Sequence, residues 1–276
     1  MKYAIAFLAL AAAVSAEDPL WDNLKVTWSL NPLNLWAFNA MPRDLSQSLQ
    51  GFELRDDQCK VANAKFVGQR YWYKKDPAVS LLYDSNGIIA GIQTSAPKNQ
   101  YTPPTYAASR NYVDDGDYWT LTAYFVDPST VCSKGRSSDQ LKSEGTGSGL
   151  WIQWGPDPIK DSILAPYLEE DVIKSNWKFG HCLKTMGNHY WFNVTKDMSC
   201  DHYVPNCLLY NKGKLTAFCF AINSGLTSKR YEHPTTDVLK KFIDPVPDCF
   251  YTDPNYSKLS TLHVYMNSNA RLGSWC

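Results

Sequence analysis

The chain has 276 residues, with 27 Lys and Arg against 27 Asp and Glu, and is 44% hydrophobic and 14% aromatic. A formal net charge of zero leaves no global field to draw in a polyanion, so neither nucleic acid nor an anionic membrane surface is expected as a partner. A chain this long can bury one large core or two small ones.

The first element is an export signal. Lys2 supplies a basic start, Ala4 to Val14 an apolar run, and Val14-Ser15-Ala16 a small-residue cleavage site. Eleven apolar residues reach only about 16 Å as a helix, about half of a bilayer core, so no membrane span is expected here or later. Residues 1–16 are read as the signal peptide and 17–276 as a single mature domain, secreted and extracellular.

The mature part reads as two related units, repeat 1 at about 35–132 and repeat 2 at 150–276. Leu35-Trp36-Ala37-Phe38 opens the first and Leu150-Trp151-Ile152-Gln153-Trp154 the second. Gly68-Gln69-Arg70-Tyr71-Trp72-Tyr73 matches Gly187-Asn188-His189-Tyr190-Trp191-Phe192. Leu81-Leu82-Tyr83 before Gly87 matches Leu208-Leu209-Tyr210 before Gly213, and Thr120 to Phe125 matches Thr261 to Met266.

Within the first unit, Pro42-Arg43-Asp44 predicts a helix start ahead of Leu45 and Leu49, and Asp84-Ser85-Asn86-Gly87 a hairpin turn. Asp114, Asp115 and Asp117 read as a solvated turn before a strand at Tyr118-Trp119; they lack the spacing of a calcium loop. Residues 133–149, with Gly145-Thr146-Gly147-Ser148-Gly149, read as a flexible connector and match neither a phosphate-binding loop nor a nucleophile elbow.

In the second unit a helix is predicted after Pro166, with acids Glu169, Glu170 and Asp171 in its first turn, and another after Thr235-Thr236-Asp237. Thr261 to Met266 alternates as a half-buried strand does. The predicted fold is mainly antiparallel β with a few short helices (α+β). Each unit is a helix on a four- or five-stranded sheet, and the two pack into one pseudo-twofold body.

In an exported chain, the cysteines Cys59, Cys132, Cys182, Cys200, Cys207, Cys219, Cys249 and Cys276 form up to four disulfides. The repeat suggests Cys59 with Cys132 and Cys182 with Cys276, leaving Cys200 with Cys207 and Cys219 with Cys249. Asn193-Val-Thr195 and Asn255-Tyr-Ser257 are acceptor sites for N-glycans.

The chemistry is expected where the units differ. All five histidines (His181, His189, His202, His233 and His263) fall in the second, two of them standing where the first has Arg70 and Thr122. Their spacings match no common ligand pattern, so no metal site is expected and no cofactor is indicated. The candidate ligand-binding residues are Trp72, Tyr124, His189, Trp191, His263 and Tyr265, which combine aromatic faces with polar groups. The leading function is a glycoprotein that binds a small apolar, aromatic or carbohydrate ligand in a cleft between the halves. One alternative is an extracellular enzyme using His189, His263 or His233 as acid, base or ligand. Another is a matrix, toxin or recognition protein. Nothing in the sequence fixes the oligomeric state.

Overall fold

The computed structural model describes residues 21–27, 37–254 and 256–270. The export segment, Leu35, Trp36, Asn255 and Cys276 lie outside them. The chain begins with β1 (Lys25–Thr27) and β2 (Phe38–Ala40), then β3 (Phe52–Asp57), β4 (Gln69–Tyr73), β5 (Asp76–Tyr83) and β6 (Ile89–Pro97). There follow β7 (Val113–Asp115), β8 (Tyr118–Tyr124), β9 (Trp151–Gln153) and β10 (Ser162–Leu164). The last part holds β11 (Trp177–Leu183), β12 (Gly187–Phe192), β13 (Asn206–Asn211), β14 (Lys214–Ile222) and β15 (Ser260–Tyr265).

These strands form two antiparallel sheets. One runs β10-β9-β8-β6-β5-β4-β3 with β7 also on β8, and the other β2-β1-β15-β14-β13-β12-β11. The order is the same in both, and each sheet is finished by a hairpin from the other part of the chain. Register agrees as well: β9 meets β8 with Trp151 opposite Tyr124 and Ile152 opposite Ala123, while β1 meets β15 with Lys25 opposite Tyr265 and Val26 opposite Val264.

Backbone details recur at matching places. Tyr83 Oη donates to the Pro42 carbonyl and Tyr210 Oη to that of Pro166. Met41 N–H bonds to Leu24 O and Ala165 N–H to Leu150 O, at 2.8 Å each. The strand that holds the place of β9 in the second sheet is therefore Lys25–Thr27, not the Leu35-Trp36-Ala37-Phe38 stretch that sequence similarity suggested; Phe38 begins β2.

Alternation divides the side chains between layers. Leu81, Tyr83, Ile92 and Leu121 of one sheet share a core with Leu208, Phe218, Leu262 and Val264 of the other. The opposite face of the second sheet carries Trp191, Cys207, Leu209, Cys219 and Tyr265, which pack with Leu239, Phe242, Ile243 and Phe250. A smaller cluster of Leu82, Ala90, Tyr124 and Val131 covers the first sheet's outer face. The strand at 260–265 is consequently buried on both faces and not half-buried, because the segment that follows β14 folds back over the sheet.

The helices are short. The stretch at 42–50 forms turns, since Asp44 makes an isolated bridge to Ile88 and Leu45 N–H bonds to Gly87 O. A turn of helix spans Glu169–Val172 and another Thr236–Leu239. The glycine-rich stretch does not behave as a connector. It follows a capped helix, Ser138–Glu144, and Thr146 bonds to Trp21 O and Asn23 O, while a Cβ on Gly147 would lie 1.9 Å from Phe125 O. Gly147 permits the close approach to the Phe125 backbone.

Cys59 pairs with Cys132 as the repeat suggested. The other two described bridges differ, joining Cys200 to Cys249 and Cys207 to Cys219. Cys207 and Cys219 face each other on β13 and β14, which brings their sulfurs together whatever their separation in the chain. Cys182 is also disulfide-bonded. No helix among the described residues is long and apolar enough to cross a membrane.

Gly68 and Gly187 open β4 and β12 at φ of 104° and 101°, where a Cβ would sit 2.8 Å from Tyr83 O and 2.5 Å from Tyr210 O. Replacing either by Ala combines left-handed strain with a backbone clash, and should lower unfolding free energy by more than about 2 kcal/mol in urea titrations. Gly116→Ala, at φ 69° in open space, should cost only about 1 kcal/mol. Equal losses at the three positions would show that the close approach contributes nothing.

Candidate functional site

His189 on β12, Cys207 on β13, Cys219 on β14 and His263 on β15 project from one face of the second sheet, the face turned away from the shared core. Above them lies the segment around Phe242, held by Trp191 Nε1–H donating to Phe242 O at 2.7 Å. Gly180 on β11 admits that carbonyl, since a Cβ there would be 2.2 Å from it. Between the sheet and this segment is a cavity of about 310 Å³. Its wall is mostly apolar, with Met186, Trp191, Val238 and Phe242, and His189 and His263 are its imidazoles.

The polar side of the cavity is anchored by Glu232, which is 3% exposed. His263 Nδ1 lies 2.6 Å from Glu232 Oε2, and Thr261 Oγ1 donates to the same oxygen at 3.1 Å. Thr27 Oγ1, on the hairpin strand β1, donates to Glu232 Oε1 at 2.6 Å. Because a carboxylate only accepts, His263 carries its proton on Nδ1 and keeps Nε2 as its remaining nitrogen. His189 is oriented in the same manner, its Nδ1 lying 3.1 Å from Gly187 O. The two rings are 6.2 Å apart, close to perpendicular.

Cys207 Sγ and one nitrogen of each imidazole lie within 4.8 Å of one another. That sulfur is bonded to Cys219, so what converges is two imidazoles beside a disulfide. Opened by a thiol reductant, the same residues would form a nitrogen and sulfur set of the kind that holds zinc.

On strands β4, β6 and β8 of the first sheet the polar groups bond mainly to one another. Arg70 donates to Asp56 at 2.7 and 2.5 Å and to Asp115 at 2.8 Å, and Gln93 Nε2 donates to Thr122 Oγ1 at 2.9 Å. Asp115 is thus an ion partner of a buried guanidinium and not part of a solvated turn. Its neighbours Asp114 and Asp117 stay at the surface side of the β7–β8 turn.

The six candidate binding residues separate. His189, Trp191 and His263 meet at the cavity. Tyr265 is buried beside them and packs on Phe38 at 5.2 Å. Tyr124 belongs to the first sheet's outer cluster, where its hydroxyl donates to Gln153 Oε1 at 3.1 Å. Trp72 lies under the Arg55 guanidinium at 5.2 Å. Of the remaining histidines, His233 Nδ1 approaches Leu259 O at 3.2 Å, outside the cavity, and His181 and His202 are on the surface. Sequence reasoning missed Glu232, Thr27 and Phe242. No local pattern marks them, because they reach the site only through long-range pairing, Glu232 by a bridge to Thr261.

Comparison with family models, curated proteins and solved structures finds no match.

Burial, and then the neighbouring His263, pushes the His189 pKa from 6.5 down to about 3. The folded chain therefore refuses a proton that the unfolded chain accepts below about pH 6.5. Stability from this group is fully present above that pH and declines as the pH falls toward about 3, by up to about 1.4 kcal/mol per unit. Urea unfolding of wild type between about pH 6 and about pH 4 should show the steeper pH slope, and His189→Gln should flatten it by up to one proton's worth. An identical slope in the variant would mean that His189 is protonated in the fold.

Proposed function

We propose that this chain is an exported, disulfide-bonded glycoprotein that holds a small apolar or aromatic ligand in the cavity on the outer face of its second sheet. The observation that carries this reading is the cavity of about 310 Å³ with a mostly apolar wall and two oriented, buried imidazoles. That combination of an enclosing apolar wall and a few fixed polar groups is what small-molecule sites use. Three described disulfides and the absence of a membrane-crossing helix among the described residues are compatible with export. An exposed Asn193 side chain is compatible with one of the glycans.

The two halves are proposed to be related copies, supported by the common strand order and the matching hairpin registers. The first copy closes its polar row with Arg70, Asp56 and Asp115. The second replaces that row by imidazoles and a bridge, and its covering segment around Phe242 leaves the space. The ligand space is thus assigned to the outer face. The region between the sheets is filled by shared core.

A second reading is favoured by the 2.6 Å contact between His263 and Glu232, the arrangement of an imidazole base held by a carboxylate. On this reading the chain is an extracellular enzyme and His263 Nε2 takes a proton from a bound substrate. Hydrolysis of p-nitrophenyl butyrate that His263→Gln abolishes would support it; an inert wild type would remove it for esters of that kind.

For the binding reading, fluorescence titration with 1-aminoanthracene should give saturable uptake with a Kd in the micromolar range. Val238→Trp, which places bulk on the cavity wall, should weaken it by more than about tenfold with an unchanged thermal midpoint. Uptake that this substitution leaves intact would place the probe elsewhere and reject the assignment.

A further inference from the structure

A second opening lies where the two halves do meet. Residues 100–109 of the first half face 201–202, 223–224 and Tyr256 of the second across a groove of about 900 Å³. We propose that this groove binds a neutral oligosaccharide. The site is separate from the cavity under Phe242 and does not depend on it.

The argument rests on what lines the groove. Tyr106 is 40% exposed, and its ring, which carries the Arg110 guanidinium at 4.6 Å, lies 4.2 Å from that of His202, forming an aromatic shelf shared by the two halves. Tyr256 supplies a further ring, fixed by its hydroxyl donating to Asp201 Oδ1 at 2.6 Å. Deeper in, Tyr101 Oη donates to Asn223 Oδ1 at 2.7 Å. Asn223 is only 3% exposed, and its Nδ2 has no hydrogen-bond partner.

Charge and size narrow the occupant. No Lys or Arg is among the described residues that line the groove, and the adjacent Arg110 guanidinium is already stacked on the Tyr106 ring at 4.6 Å. Asp201 is its one carboxylate, and one of its oxygens is already engaged by Tyr256, which leaves little to hold a cation. The remaining polar groups are neutral amides and hydroxyls, including Gln100, Thr102 and Ser109. A pyranose ring presents polarised C–H groups on its face and hydroxyls on its edge, which suits aromatic rings beside neutral hydrogen-bonding groups. The volume lies near the upper end of small-molecule pockets, roughly 300–1,000 Å³, and accommodates more than one ring.

Two sources offer this chemistry. One is a free saccharide. The other is the chain itself, because the glycan acceptor Asn255 directly precedes Tyr256 of the groove in sequence.

The test is isothermal titration of the full secreted protein with triacetylchitotriose, mannotriose and cellotriose, in the wild type and in Asn255→Gln. At least one trisaccharide should bind, and Tyr106→Ala or Asp201→Asn, made in the binding-competent background, should weaken it about tenfold while the thermal midpoint and 1-aminoanthracene uptake stay unchanged. Binding in both backgrounds identifies a free saccharide as the occupant; binding only in Asn255→Gln identifies the chain's own glycan. No binding of any of the three in either background, or binding that neither groove substitution weakens, overturns the proposal.

Discussion

The pairing of β1 with β15, and of β9 with β8, is the constraint on which the rest of the molecule depends. Without these contacts each sheet would end on a long strand with unpaired backbone groups on one side. Each closing strand is instead met by a hairpin from the other half of the chain. The halves are tied together by backbone hydrogen bonds as well as by a shared apolar core, so neither sheet is complete alone. The packed glycines at 145–149 follow from the same constraint: the chain must pass close beside Phe125 to deliver β9, and only a residue without Cβ fits at Gly147.

The exchange also reaches the candidate site. Thr27 is on β1, a strand of the first part of the chain, yet it hydrogen-bonds the Glu232 carboxylate that orients His263. A buried carboxyl group needs hydrogen-bond partners, and here they come from β1 and β15 together. The site therefore belongs to the assembled pair of sheets even though its cavity lies on the outside of one. The first sheet shows the alternative solution at the same rows. There Arg70 and Arg55 together pair with Asp56 and Asp115.

Much of the strand framework was legible in the sequence because alternation, turn residues and aromatic triplets are local signals. The hairpin at Asp84-Ser85-Asn86-Gly87 lies between β5 and β6, and the triplets Tyr71-Trp72-Tyr73 and Tyr190-Trp191-Phe192 fall on β4 and β12. The matched histidines His189 and His263 could be singled out by comparing the two units. Their partner Glu232 could not, since it lies 31 residues from His263 in the chain and nothing near it repeats. The disulfides divide in the same way. Cys59 with Cys132 follows from their bracketing a unit, whereas Cys207 with Cys219 follows from strand register, which composition does not disclose.

The sequence by itself determined the central strands of both sheets, though not β1, and it marked the second half as the one richer in imidazole and sulfur, because these are properties of residue type and short spacing. Only the tertiary structure decided which face of each strand is covered, which hairpin completes which sheet, and that His189, Trp191 and His263 share a cavity on the outside of the sheet. The reason is physical. A strand pattern says which residues lie on the same side, but what lies against that side is set by contacts between segments tens to hundreds of residues apart, and those contacts form only when the whole chain is assembled.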